Sequence, residues 1–182
     1  MFRRTPYLLL ALFLYSCAGK KDGANTSAAF FDISGFMNEQ ASLLEFLQPA
    51  IRKTVIANGI TETLKLHTTD WHREFAPFRE CDISNPLWKE SYAIDTVAGA
   101  QDEAYTITYT AKDSSFPVRN VKIYYGSNEK ISRFHIEQRI KNGFCFSSRE
   151  LDYIPLRGYL LTSSRHIAIA GESRYEIRAE LE

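Results

Sequence analysis

The chain has 182 residues with 22 basic and 22 acidic side chains, a formal net charge of zero, and 45% hydrophobic residues. That length and apolar content suit one domain that buries a core without staples. The basic residues are scattered among acids, which excludes the phosphate-neutralising patch that sequence-independent nucleic-acid binding needs.

The first residues, MFRRTPYLLLALFLYSCAGKK, place Arg3 and Arg4 ahead of an apolar stretch from Tyr7 to Tyr15. This is the pattern of a secretory signal. A permanent helix across ~30 Å of hydrocarbon needs about 20 residues, so the shorter stretch here is expected to be cleaved. Leu14-Tyr15-Ser16-Cys17 resembles the bacterial lipobox. The resemblance implies a lipoprotein signal peptide over 1–16 and a lipid-bearing Cys17 as the first mature residue. One acyl chain holds a protein on a membrane marginally, whereas two or more hold it stably. The lipoprotein pathway adds a diacylglyceryl group and usually a third chain, so an effectively permanent anchor is expected. Ala18 lacks the acidic side chain that retains lipoproteins in the inner membrane, which favours the outer membrane, in either leaflet.

Without residues 1–16 the chain has 166 residues, and 20 basic groups against 22 acidic ones leave a net charge near −2. Within residues 17–29, the run AGKKDGANTS from Ala18 to Ser27 is small and polar and reads as a flexible tether. Lys20-Lys21-Asp22 also fits a surface-export tag. Residues 30–182 are expected to form a single globular domain. It holds two cysteines, Cys81 and Cys145, for which an oxidising compartment allows a disulfide. A free buried thiol is an equally ordinary state. No third cysteine or histidine pattern suggests zinc.

From Ser34 to Leu47, Phe36, Leu43 and Leu47 recur at helical spacing beside Met37, Ala41 and Leu44; Ser34 is a plausible N-cap and Pro49 a stop. The polar side carries no Lys or Arg, which argues against a membrane-lying helix. The segment IRKTVIA-NG-ITETLKL has two β-rich arms around Asn58-Gly59, a type I′ hairpin signal. A two-residue turn pairs Ala57 with Ile60, Val55 with Glu62, Lys53 with Leu64 and Ile51 with Leu66. Thr69 or Asp70 then caps a second helix with Trp71, Phe75 and Phe78 on one side, which Pro77 should kink or shorten. Asn85-Pro86 opens a further turn.

From Tyr92 the period becomes two. Tyr105, Ile107 and Tyr109 alternate with threonines; Val121, Ile123 and Tyr125 with polar residues; Phe134, Ile136 and Ile140 with Arg133, His135, Glu137 and Arg139; and Tyr175, Ile177, Ala179 and Leu181 with charges. Turn signals near Asp113, Gly126, Asn142, Gly158 and Gly171 leave no room for crossover helices. The expected fold is α+β: N-terminal helices packed on a curved antiparallel β-meander, a half-barrel-like sheet with one wet and one dry face.

Several residues could carry chemistry. His67, Asp70, His72 and Glu74 are concentrated in HTTDWHRE, but the two histidines do not share a helical face as in H-E-x-x-H, and helix-start acids explain the segment better. His135 and His166 read as solvated strand histidines. Ser163 or Ser164 beside His166 shows no G-x-S-x-G elbow or other nucleophile motif. The alternating wet-face charges suit cross-strand ion pairing. Tyr105, Tyr109, Tyr125 and Phe134 belong in the core, or line a cavity for an apolar ligand if the sheet curves enough. No cofactor is called for.

K-T-V-x-x-N-G-x-T-E-T at Lys53 to Thr63, D-W-x-x-E-x-x-x-F at Asp70 to Phe78, D-I-S-N-P-x-W-K-x-S-Y at Asp82 to Tyr92 and Y-T-A-K-D at Tyr109 to Asp113 resemble small uncharacterised lipoproteins of Bacteroidota. Those motifs are turns, caps and core aromatics, and the resemblance carries over no catalytic residue. A non-enzymatic envelope lipoprotein comes first, held on the membrane by its lipid and binding an envelope protein partner. A carrier of a lipid or other apolar ligand comes second, and a hydrolase third.

Overall fold

The computed structural model describes residues 30–100 and 103–182. The signal stretch, Cys17 and the tether lie outside the described residues. Helix α1 (Ile33–Leu47) is followed by strands β1 (Ile51–Ala57) and β2 (Ile60–Leu66), short helices α2 (Trp71–Glu74) and α3 (Ala76–Arg79), and a 3-10 turn at Pro86–Trp88. Seven more strands complete the fold: β3 (Tyr92–Ala98), β4 (Glu103–Ala111), β5 (Val118–Gly126), β6 (Ile131–Lys141), β7 (Cys145–Ile154), β8 (Gly158–Ile167) and β9 (Gly171–Leu181).

All nine strands join one antiparallel sheet in the order β2-β1-β9-β8-β7-β6-β5-β4-β3. The fold is α+β, with the sheet open rather than closed into a barrel. Alternation predicts the meander from β3 to β9. It does not show that the N-terminal hairpin adds to β9, with Ile51 opposite Leu181 and Ala57 opposite Tyr175. That addition leaves β2 and β3, successive strands in the chain, at opposite edges.

The hairpin has the register that its Asn-Gly turn dictates: Ile51 faces Leu66, Val55 faces Glu62 and Ala57 faces Ile60. Asn58 (φ 49°) and Gly59 (φ 88°) both take the positive φ that a type I′ turn demands. Helix α1 begins at Ile33, because Asp32 rather than Ser34 is the cap, two residues earlier than expected; its carboxylate accepts the Gly35 N–H at 2.7 Å. Gln48 ends the helix in the left-handed region, donating to the Leu44 carbonyl, and Pro49 prevents continuation. The buried seam is Ile33, Met37, Ala41 and Leu44, not Phe36, Leu43 and Leu47; Leu43 and Leu47 are exposed. Both seams have helical spacing, and spacing alone does not choose between adjacent ones.

Asp70 caps α2 by accepting the Arg73 N–H at 2.9 Å, and the helix breaks at Phe75 before Pro77. The break keeps Trp71, Phe75 and Phe78 buried. Phe75 meets Tyr153 edge-on at 5.2 Å between ring centres, and Phe78 meets Tyr159 at 6.0 Å, the geometry in which a ring's positive edge faces its neighbour's negative face. From the strands, Tyr109, Val121, Ile123, Phe134, Ile136, Leu151, Tyr153, Tyr159, Leu161 and Ala179 point into the same core. Ile140, expected there too, is exposed near the end of β6, and Gln138 fills the last buried inward position of that strand.

Phe75→Ala is expected to lower the unfolding free energy in urea by about 3–5 kcal/mol, because it opens a cavity under the helices. Phe46→Ala, at a residue 84% exposed on α1, should change it by no more than about 0.5 kcal/mol.

Candidate functional site

Because the helices cover one face of the sheet, the accessible chemistry lies on the other. There the β6–β7 register sets His135 opposite Asp152 and places Arg133 diagonally beside it. Arg133 donates to Asp152 Oδ1 through Nε at 3.0 Å and Nη2 at 2.6 Å. Its guanidinium also lies 5.3 Å from the centre of the Tyr124 ring, a cation–π distance. His135 Nδ1 is 3.1 Å from the same Asp152 oxygen and Nε2 is 3.8 Å from Glu137. Nδ1 is buried without an aligned hydrogen bond, so its attraction to Asp152 is mainly one of charge. His135 is therefore half-buried and partnered, whereas alternation suggested a solvated strand residue.

Burial pushes the Asp152 carboxyl up, but His135 and Arg133 together outweigh it and hold the group below its usual range. The contact with Asp152 raises His135 above its ordinary 6.5, against the opposing effect of burial.

Beside this cluster a groove of about 430 Å³ is lined by Arg133, Asp152, Arg157, Arg178 and Glu180 around the apolar Ile154 and Leu160. The β7–β8 turn shapes it. Gly158 has φ 141°, and a Cβ there would lie 1.9 Å from the Ala179 carbonyl oxygen, so only glycine lets β8 approach β9 this closely. The Arg157 N–H donates to the Ile154 carbonyl at 3.0 Å and its carbonyl accepts the Leu181 N–H at 2.9 Å. Arg133 is ion-paired with Asp152 and Arg178 with Glu176. Arg157, exposed and with its backbone fixed, has no ion pair among the described residues. The groove can hold a polar or anionic group over an apolar floor. His135 Nε2 faces Glu137 and not a hydroxyl or thiol, an arrangement for charge recognition more than for nucleophilic attack.

The proposed apolar lining divides. Tyr109 and Phe134 are buried in the core, Tyr109 against Phe30 at 5.6 Å and Phe134 against Phe31 at 5.8 Å and Phe36 at 6.2 Å. Tyr105 and Tyr125 are half-buried and stack on each other at 4.6 Å. Cys81 and Cys145 are both free thiols. Cys81 is buried, donates to the Pro77 carbonyl, and has its thiol pushed up to about 12 by burial. Cys145 is half-buried at the start of β7.

The HTTDWHRE residues serve different elements. Asp70 caps α2, and His72 lies 3.7 Å from Glu45. Glu74 accepts from Lys53 Nζ at 2.7 and 2.8 Å and from the Tyr159 hydroxyl, which latches the helical layer to β1 and β8. Among the described residues no group of three or more metal-ligating side chains is assembled. His166 is exposed, while Ser164 shares a 2.8 Å hydrogen bond with Ser148. Sequence reasoning did not find the Arg133–Asp152–His135 cluster or the place of Arg157. Both depend on strand register across turns longer than two residues, for which the only sequence signals were Asn142-Gly143 and Gly158.

No family model, no curated protein and no solved structure matches this chain.

An NMR titration should give His135 a pKa above 6.5, and Asp152→Asn should bring it down. Linkage fixes the sign. The His135 contribution to stability is complete below 6.5 and is lost as pH rises through the raised value, whereas that of Asp152 is lost as pH falls through its lowered one. Asp152→Asn should remove both slopes, and an unchanged stability-versus-pH curve would contradict the pairing. Gly158→Ala should cost roughly 3 kcal/mol in urea unfolding, since the strained φ and the backbone clash add.

Proposed function

We propose that the protein is a lipid-anchored, non-enzymatic binding or accessory protein of the cell envelope, held at the outer membrane. The observation that carries this reading is Leu14-Tyr15-Ser16-Cys17, a lipobox-like sequence directly after a charged start and a short apolar stretch. The anchor it invokes is acyl chains on Cys17. No helix among the described residues is long and apolar enough to cross a membrane. The likeness to small Bacteroidota lipoproteins points the same way.

The folded domain offers a partner the uncovered sheet face, where Arg133, Asp152 and Arg157, the last without an ion pair among the described residues, frame a groove beside His135. The alternative, an apolar ligand held inside the sheet, needs room against the inner face. Two of the four side chains that would line such a space, Tyr109 and Phe134, already contact Phe30, Phe31 and Phe36, so binding at the outer face is better supported.

Cys17→Ala should abolish incorporation of labelled palmitate into the protein in cells, and persistent labelling would contradict the anchor. A pull-down from membranes should return a partner that Arg157→Glu loses. Repeated recovery of no partner would count against the binding role.

A further inference from the structure

Two neighbouring turns at one end of the sheet each carry a large apolar side chain that the core does not use. Phe144, between β6 and β7, is 77% exposed, and Ile169, between β8 and β9, is 95% exposed. Ile140 and Phe146, also exposed, flank them. Burying such side chains is favourable, and here that gain is left untaken.

The tips are not loose ends. Asn142 Oδ1 accepts the N–H groups of Phe144 at 3.2 Å and Cys145 at 2.8 Å, which fixes the turn that carries Phe144. The Ala168 N–H donates to the Phe144 carbonyl at 3.1 Å and joins the two turns into one platform. The charge around it is mainly positive. Arg139, Lys141 and Arg165 stand on the adjoining ends of β6 and β8, and Glu172, the acid that the described ends of β6 to β9 hold there, is engaged by Arg174.

The chain enters the domain at this same end. Phe30, the first described residue, lies against Tyr92 at the start of β3 with ring centres 5.9 Å apart. The Tyr92 hydroxyl donates to the Val118 carbonyl at 3.0 Å, and the Arg139 N–H donates to the Pro117 carbonyl at 2.8 Å. Those bonds place the entry point, the start of β5 and the end of β6 on one rim. From β3 to β8 is five strand spacings, or about 24 Å along the sheet. The thirteen residues from 17 to 29 can span at most about 45 Å.

We propose that this platform docks on an anionic lipid bilayer, with Phe144 and Ile169 entering the interface and Arg139, Lys141 and Arg165 facing the headgroups. The inference rests on the lipid-anchored reading of Cys17. That anchor confines the domain within reach of a membrane, and the platform then sets which end meets it. Partial insertion of aromatic and aliphatic side chains beside basic ones is how an interfacial segment gains both apolar burial and attraction to anionic lipid. The groove at Arg157 and Gly158 lies at the opposite end of β8, so docking this way turns it away from the bilayer and leaves it open to a partner.

The test uses the full chain recovered from membranes and reconstituted into vesicles of phosphatidylethanolamine and phosphatidylglycerol, carrying Phe144→Trp. Flotation with the vesicles reports the anchor. Quenching of the introduced indole by phosphatidylglycerol brominated on its acyl chains reports the platform, with unsubstituted protein as the background for Trp71 and Trp88. The expected result is flotation with the indole emission quenched about twofold, reduced by molar salt or by Ile169→Ser in the same chain. Flotation without quenching would overturn the platform and leave the anchor standing. Failure to float would overturn both. A blue shift that follows protein concentration and not lipid would assign the platform to a second copy of the chain and overturn the proposal.

Discussion

The rest of the structure depends on where the N-terminal hairpin pairs. Hydrogen bonding of β1 to β9 completes a nine-strand sheet and puts β2 and β3 at its two edges, eight strand spacings or about 38 Å apart along the sheet. The chain between them must cross a whole face. It crosses the apolar one, and it does so with Trp71, Phe75, Phe78, Cys81, Ile83 and Trp88, all but Trp88 fully buried. Together with α1 and the entering Phe30 and Phe31, the crossing supplies the second layer that an open sheet with an apolar face requires. The Lys53–Glu74–Tyr159 latch ties that layer to strands on the β1 side, and the Tyr92–Val118 hydrogen bond ties its far end to β5.

Filling one face has consequences for the other. The inner face is occupied by the protein's own aromatic rings, so the accessible surface is the solvated face and the two ends of the sheet. The ends differ in chemistry. One has a glycine-dependent turn that presents Arg157 over Ile154 and Leu160; the other has two joined turns that expose Phe144 and Ile169 among basic residues. Under the proposed lipid anchor, this asymmetry would turn one end of the sheet toward lipid and the other away from it.

Local signals in the sequence were strong where one residue type has one structural answer. Asn58-Gly59 specified a turn and, through it, seven residue pairs. Pro77 and Asn85-Pro86 marked a helix break and a helix start, and alternation from Tyr92 onward gave the faces of most strands. What alternation could not supply was any relation between distant strands. The β1–β9 pairing joins residues more than a hundred positions apart, and neither strand's pattern names its partner. The seam of α1 was misplaced for a similar reason, since two adjacent stripes were apolar and only the layer beneath decides which is buried. The Arg133–Asp152–His135 cluster is hidden in the same way: alternation shows Arg133 as a wet-face charge and His135 as a solvated strand residue and does not single out Asp152, and only the β6–β7 register brings the three together.

Proton–proton contacts measured by NMR test most directly whether the crossing segment lies over the inner face. Cross-peaks are expected between the ring protons of Phe75 and Phe78 and those of Tyr153 and Tyr159, together with backbone contacts between Lys53 and Ala179 across β1 and β9. Rings of Phe75 and Phe78 that show no contact with either tyrosine would mean that the inner face is open, and would contradict that placement.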